Sequence, residues 1–202
     1  MSAFKAPNEI VRNVLTNDEI EELYAEVLKS YDDNYMMLTF NQKIVDFRLP
    51  ESVKSKILAA CRKTFGLNDL VIEEYQFARY ANTENEDGSI GRPRLFPHRD
   101  EAFKQPRYTF DYQITGTTEW PLVVEDVPFT LHANEAITFS GTHQIHWREL
   151  KKFEHGEYID MVFFHLRQEN SEDTSEEDRA VIKEKAEKYR QIYDEKAKDF
   201  YN

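Results

Sequence analysis

Apolar residues near the start of the chain recur three and four apart. Ile20, Leu23, Tyr24, Val27 and Leu28 form one stripe, the period of an amphipathic helix. Thr16 and Glu19 stand at capping-box spacing, and Leu15 with Ile20 hold the positions of a hydrophobic staple, so the helix starts there. A second stripe, Val53, Ile57, Ala60 and Cys61, begins near Pro50 and ends at Gly66. Proline suits a first helical turn, and glycine suits the left-handed residue that closes one.

From Leu70 the period shortens to that of strands. The runs LVIEEYQFARY (70–80), RYTFDYQIT (107–115), WPLVVEDV (120–127), FTLHANEAITF (129–139) and YIDMVFFHL (158–166) are β-rich and separated by turn-forming residues. Strands in succession without helices between them predict a sandwich or jelly roll. The polar, glycine-containing stretch 81–96 reads as a mobile loop leading to His98, a common place for a substrate lid. Helical spacing returns at the end, where Ile182, Ala186, Tyr189, Tyr193, Ala197 and Phe200 share one stripe. That stripe is expected to pack along the back of the sheet; the other use is a homodimer contact. The whole reads as one domain over 1–202, mainly β with flanking helices: helical support over 1–69, a β core over 70–167 and a C-terminal helix over 168–202.

Composition narrows the class. With 40% hydrophobic and 13% aromatic residues, the chain has the makings of a packed core and is not a disordered one. It has no apolar run of the roughly 20 residues that cross a bilayer and no signal-peptide layout at its start. Its single cysteine, Cys61, suits a reducing compartment, so a soluble cytoplasmic protein is expected. A formal net charge of -12 disfavours nucleic acid as a partner, because phosphate neutralisation needs a basic surface. One segment departs from that balance: Arg92, Arg94, Arg99, Lys104 and Arg107 stand against only Asp100 and Glu101. It is either an ordinary solvated loop or a positive rim that draws in an anionic co-substrate.

The candidate chemistry lies in two short stretches, FPHRDE (96–101) and FSGTHQIHWREL (139–150). A non-haem Fe(II) site takes two imidazoles and one carboxylate on one face of the metal. In an extended segment His98 and Asp100 project to the same side. His143 and His146 are three apart and face opposite sides, so only one of them shares a face with Arg148, and that one is His146. The metal is therefore assigned to His98, Asp100 and His146, with His143 beside it or at the surface. In RYTFDYQIT, Arg107, Thr109, Asp111 and Gln113 form a wholly polar face. It turns either into an active cavity or out to solvent. His132 reads as exposed, His165 as a core histidine with its hydrogen bonds satisfied, and Trp120 and Trp147 as packing residues.

Taken together, FPHRD, NEAITFSGTHQIHWREL and YIDMVFFHL resemble the Fe(II)- and 2-oxoglutarate-dependent oxygenases of the prolyl-4-hydroxylase-like type, and the G-x-x-x-x-H-W-R arrangement is similar to that of small phage and bacterial members. The match covers roughly residues 70–167. It implies a double-stranded β-helix (jelly-roll, cupin-like) core, Fe(II) on His98, Asp100 and His146, and 2-oxoglutarate and O₂ as co-substrates. It also implies hydroxylation of a C–H bond in a peptide or protein side chain or a small molecule. Tyr80 resembles the family tyrosine near the co-substrate. One departure is evident. Where the family places a cation about ten residues beyond the distal histidine, this chain reads FEHGEY (153–158). Arg148 is the first substitute for binding the far carboxylate, Arg107 the second, and Gln113 shares the latter's face. Two rival readings stay open: a cupin-type metal enzyme needing no 2-oxoglutarate, and a non-enzymatic jelly-roll interaction module.

Overall fold

The computed structural model describes residues 6–31, 35–37, 42–84 and 88–201. Strand β1 (Ile10–Arg12) precedes helix α1 (Asn17–Tyr31). The capping box forms as expected: the Thr16 amide donates to Glu19 Oε2 over 2.8 Å, and the Glu19 amide donates to Thr16 Oγ1 over 3.4 Å. Leu23 and Val27 are fully buried, whereas Leu28, at the margin of the stripe, is 53% exposed. Strands β2 (Tyr35–Met37) and β3 (Gln42–Val45) follow, then α2 (Glu51–Phe65), which closes on Gly66 at φ 69°.

The β region holds β4 (Leu70–Ala81), β5 (Thr83–Glu84), β6 (Ile90–Gly91), β7 (Tyr108–Gly116), β8 (Leu122–Val124), β9 (Val127–Phe129), β10 (Glu135–Phe139), β11 (His146–Arg148) and β12 (Tyr158–Gln168); helix α3 (Glu176–Tyr201) ends the chain. WPLVVEDV is not one strand. Glu125 and Asp126 both have positive φ, 50° and 68°, and make a two-residue turn joining β8 to β9, the twist that matches a tight hairpin. Side-chain bonds help to hold the turn: Glu125 Oε1 accepts from the Ile145 amide at 2.8 Å, Lys185 pairs with Glu125, and the Tyr189 hydroxyl donates to Asp126.

Seven strands form one sheet in the order β1-β10-β7-β12-β4-β3-β2, and three form a smaller sheet, β11-β8-β9. The packing is layered. Helices α1 and α2 bury Leu23, Val27, Val53 and Ile57 against Phe77, Phe110, Tyr112 and Phe164 on one face of the large sheet. Its other face meets the small sheet through Ile137, Phe139, Met161, Leu122 and Val124. Helix α3 then covers the back of the small sheet, where Ile182, Ala186 and Tyr193 pack on Val123, Ile145 and Trp147. The apolar stripe of α3 is thus used within the chain. No helix of the described residues is long and apolar enough to cross a membrane.

The polar face of β7 turns inward. Arg107, Thr109, Asp111 and Gln113 are all buried, so the solvent-facing alternative is removed. Opposite them lies the helix-covered face of Tyr108, Phe110, Tyr112 and Ile114.

A buried ion pair fastens α1 to the large sheet. Asp160 on β12 is inaccessible and accepts two bonds of 2.6 Å from the Arg79 guanidinium, with the Tyr24 hydroxyl as a third donor. Asp160→Ala removes the carboxylate that both Arg79 and Tyr24 donate to, leaving Arg79 the Tyr24 hydroxyl, 2.7 Å away, as an acceptor. It is expected to cost about 3 kcal/mol, the lower end for breaking a buried pair because Arg79 keeps some contact with water. A urea midpoint within error of the parent, at unchanged slope, would contradict this.

Candidate metal centre

The stretch leading to His98 is bonded along β11 and does not hang free. The Arg148 amide donates to the Leu95 carbonyl at 2.9 Å, and His98 and His146 exchange backbone bonds of 3.0 and 3.1 Å. Leu95 is buried in the layer between the sheets, which explains why the end of the expected lid is fixed; residues 85–87 of that loop lie outside the described residues. The pairing sets the two imidazoles side by side, with ring centroids 4.2 Å apart and the planes tilted by 54°. Asp100 follows, its amide donating to the Gly141 carbonyl over 2.8 Å.

One ligand atom from each of His98, Asp100 and His146 lies within 4.8 Å of the others. Asp100 Oδ1 is 4.0 Å from His98 Nε2 and 3.6 Å from His146 Nε2. Each imidazole is oriented by a carbonyl: Nδ1 of His98 is 2.8 Å from the Phe96 oxygen, and Nδ1 of His146 is 3.1 Å from that of Gln144. A carbonyl only accepts, so Nδ1 carries the proton and Nε2 presents its lone pair, the arrangement that orients metal-bound histidines. Burial, then the neighbouring His146, pushes His98 down to about 4, and burial lowers His146 too. Burial opposes ionisation of Asp100, but His146, His165, His98 and Arg99 together leave its pKa below the ordinary value. Two neutral imidazoles and a carboxylate, crowded on one side of a cavity, suit a divalent first-row ion with open positions.

The cavity, about 190 Å³, is walled by Leu95, Phe139 and Phe163 and by the polar groups Gln42, Gln76, Thr109 and Asp111. Burial, then the charge of Asp100, raises Asp111 to about 8 against the pull of Arg148.

By sequence, no protein-family model and no curated protein matches the chain. By structure the likeness is extensive. The epimerase SnoN of nogalamycin biosynthesis, a non-haem, α-ketoglutarate-dependent enzyme, superposes with a TM-score of 0.64 at 13% identity, over 84% of this chain and 82% of its own. A viral collagen prolyl hydroxylase from Paramecium Bursaria Chlorella virus-1 gives 0.54 at 14% identity, over 80% and 95%. A Pseudomonas putida prolyl-4-hydroxylase gives 0.53 at 12% identity, over 81% and 94%. The fold is that of the 2-oxoglutarate- and iron-dependent oxygenases.

Within this oxygenase fold the other sequence-nominated residues separate. Arg148 is 1% exposed. Its guanidinium donates to the Trp120 carbonyl and, over 3.7 Å, to Met161 Sδ, and Nε has no partner among the described residues. Its Cζ lies 5.0 Å from the Trp120 ring centroid and 5.6 Å from that of Tyr80. A buried cation satisfied only by neutral groups is costly, and its natural complement is a carboxylate. Tyr80 lines the same cavity as His98, Asp100 and His146, edge-on to Trp120 at 5.2 Å. Gln113 is buried on β7 beside Met161 of β12. Arg107 is placed differently: it pairs with Glu73 and stacks 4.5 Å over Phe103. His143 stands apart from the cluster, 2.8 Å from Thr142 Oγ1 and 3.3 Å from Thr174 Oγ1. His132 and His155 are exposed.

Several cavity residues carry no functional signature in the sequence, Asp111 and His165 among them. Asp111 was visible only as one member of a polar face. His165, expected to be a satisfied core histidine, opens onto the cavity, and its Nδ1 has no hydrogen-bond partner among the described residues. The apolar neighbours in MVFFHL hid it, because the strand sits between two packed layers and its inward face carries both apolar and polar residues.

Proposed function

We propose that the protein is an Fe(II)- and 2-oxoglutarate-dependent dioxygenase that hydroxylates a C–H bond. The observation that carries this reading is the convergence of His98, Asp100 and His146 to within 4.8 Å, inside a fold shared with such oxygenases. When bound, the iron supplies the oxidising chemistry, drawing on 2-oxoglutarate and O₂ and leaving succinate and CO₂. The chain's own residues supply the rest. Nε2 of both histidines and Asp100 Oδ1 hold the ion. Arg148 receives the far carboxylate of 2-oxoglutarate, with Tyr80 and Gln113 beside it. Arg107 is the weaker choice for that role, since Glu73 already matches its charge. Leu95, Phe139 and Phe163 exclude water from the reacting atoms. Two facing sheets with the site between them support a double-stranded β-helix core over residues 70–167 of a single domain. The prime substrate is a peptide or protein side chain or a small molecule, in keeping with the prolyl hydroxylases among the structural neighbours.

An anaerobic titration of the purified protein with Fe(II), then with 2-oxoglutarate, tests this. A visible charge-transfer band is expected only after both additions, lost in His146→Ala and kept in His143→Ala. Iron binding without a band would overturn the 2-oxoglutarate assignment, and no iron binding would overturn the metal centre.

A further inference from the structure

Asp100 turns one carboxylate oxygen toward the two histidines and leaves the other without a hydrogen bond among the described residues. Oδ1 faces Nε2 of His98 and of His146, whereas Oδ2 is buried and makes no hydrogen bond among the described residues. Facing Oδ2 at 3.7 Å is Nδ1 of His165, which is buried and equally without a partner. Two orphaned, complementary polar atoms face each other just beyond bonding distance. Leaving either unmade is costly in a buried site.

The fold aims His165 there. On β12 it lies between Glu74 of β4 and Thr109 of β7 in register, and the β4–β12 pairing shifts immediately after it. Such irregularities re-aim side chains beside functional sites. The ring of Phe103 packs 5.3 Å from the imidazole, limiting its rotation, and Gly141 closes the other side of Asp100.

We infer that His165 is a positioning residue for Asp100: its Nδ1–H donates to Oδ2 and holds the carboxylate so that Oδ1 meets the metal. This inference rests on the metal-centre reading above. It adds a third histidine, one that acts through Asp100.

Co(II) binding to the purified apo-protein, followed by its visible d–d absorption under anaerobic conditions, separates the two ideas. His165→Phe keeps a ring against Phe103 but removes the donor, and His165→Leu serves if the phenylalanine variant does not fold. Either is expected to weaken Co(II) binding by about 10- to 100-fold, the usual effect of removing a group that orients a ligand, while His165→Asn, whose amide nitrogen replaces Nδ1, stays within about threefold of the parent. The donor-free variants should also show an altered d–d spectrum as the carboxylate swings away. Unchanged affinity in them would overturn the inference while leaving the metal centre intact. Equal weakening in the asparagine variant would also overturn it, since packing alone would then account for the effect. A parent protein that binds no Co(II) would remove the metal centre itself, and the inference with it.

Discussion

Gly141→Ala is expected to abolish metal binding through a single methyl group. A Cβ built on Gly141 falls 1.8 Å from Asp100 Oδ2, 2.8 Å from its Cγ and 2.7 Å from Thr109 Oγ1. These separations are far inside van der Waals contact. The backbone cannot retreat, because the Gly141 amide donates to Thr109 Oγ1 at 3.1 Å and its carbonyl accepts from the Asp100 amide. The flexible member of the contact is the carboxylate, and it must turn out of the cluster. Affinity for Fe(II) or Co(II), measured by calorimetry, should fall by at least about 100-fold, the upper end for disturbing a ligand's support. The crowding should also cost about 1–3 kcal/mol of stability. A variant with parental affinity and a native circular-dichroism spectrum would show that Asp100 is not placed as described.

Arg148→Met should separate binding from stability. The guanidinium is buried against Trp120, Tyr80 and Met161 with only neutral acceptors. Replacing a buried ionic group by an apolar one of similar volume is often neutral or stabilising by about 1–4 kcal/mol. The apo-protein should therefore unfold at the parent temperature or above it. Affinity for 2-oxoglutarate should fall by at least about 100-fold, because the far carboxylate would be buried without a counter-charge. Trp120, in contact with the guanidinium, offers a fluorescence signal for the titration. Arg148→Lys should fall between the two, since an ammonium cannot reproduce the planar fork. If Arg148→Met binds 2-oxoglutarate as tightly as the parent, the carboxylate is held elsewhere.

Much of this was legible in the chain because it depends on local periodicity. The capping box of Thr16 and Glu19, the wholly polar face of β7, and the opposition of His146 to Ile145 and Trp147 all follow from side-chain direction along one element, whereas the inward turn of that polar face does not. The apolar stripe of α3 was equally plain. What stayed hidden depends on register between elements distant in sequence. β1, β2 and β3 are three or four residues long and stabilised by pairing, β1 with β10, β3 with β4 and β2 with β3, so they carry little pattern of their own. The β8–β9 turn uses Glu125 and Asp126 where glycine or asparagine is usual, because its side chains find partners on α3 and its backbone one at Ile145. His165 comes to face Asp100 only through the alignment of β12 with β7, which no window of sequence displays. Gly141 likewise reads as an ordinary turn residue. It has no left-handed φ, and its need for glycine is one of space alone.

The bridge between β11 and the strap carrying His98 and Asp100 has a further consequence. His146 and His98 belong to the small sheet and its border, whereas Asp100 leans on Gly141, which follows β10 of the large sheet. An ion held by all three would tie the two layers of the sandwich together like a rivet. Any opening of the layers would then have to release it, so loading would slow local unfolding around the cavity as well as supply chemistry. By mass action an ion at one hundred times its dissociation constant adds about 2.7 kcal/mol to the closed state, making amide exchange in β11 a gauge of occupancy.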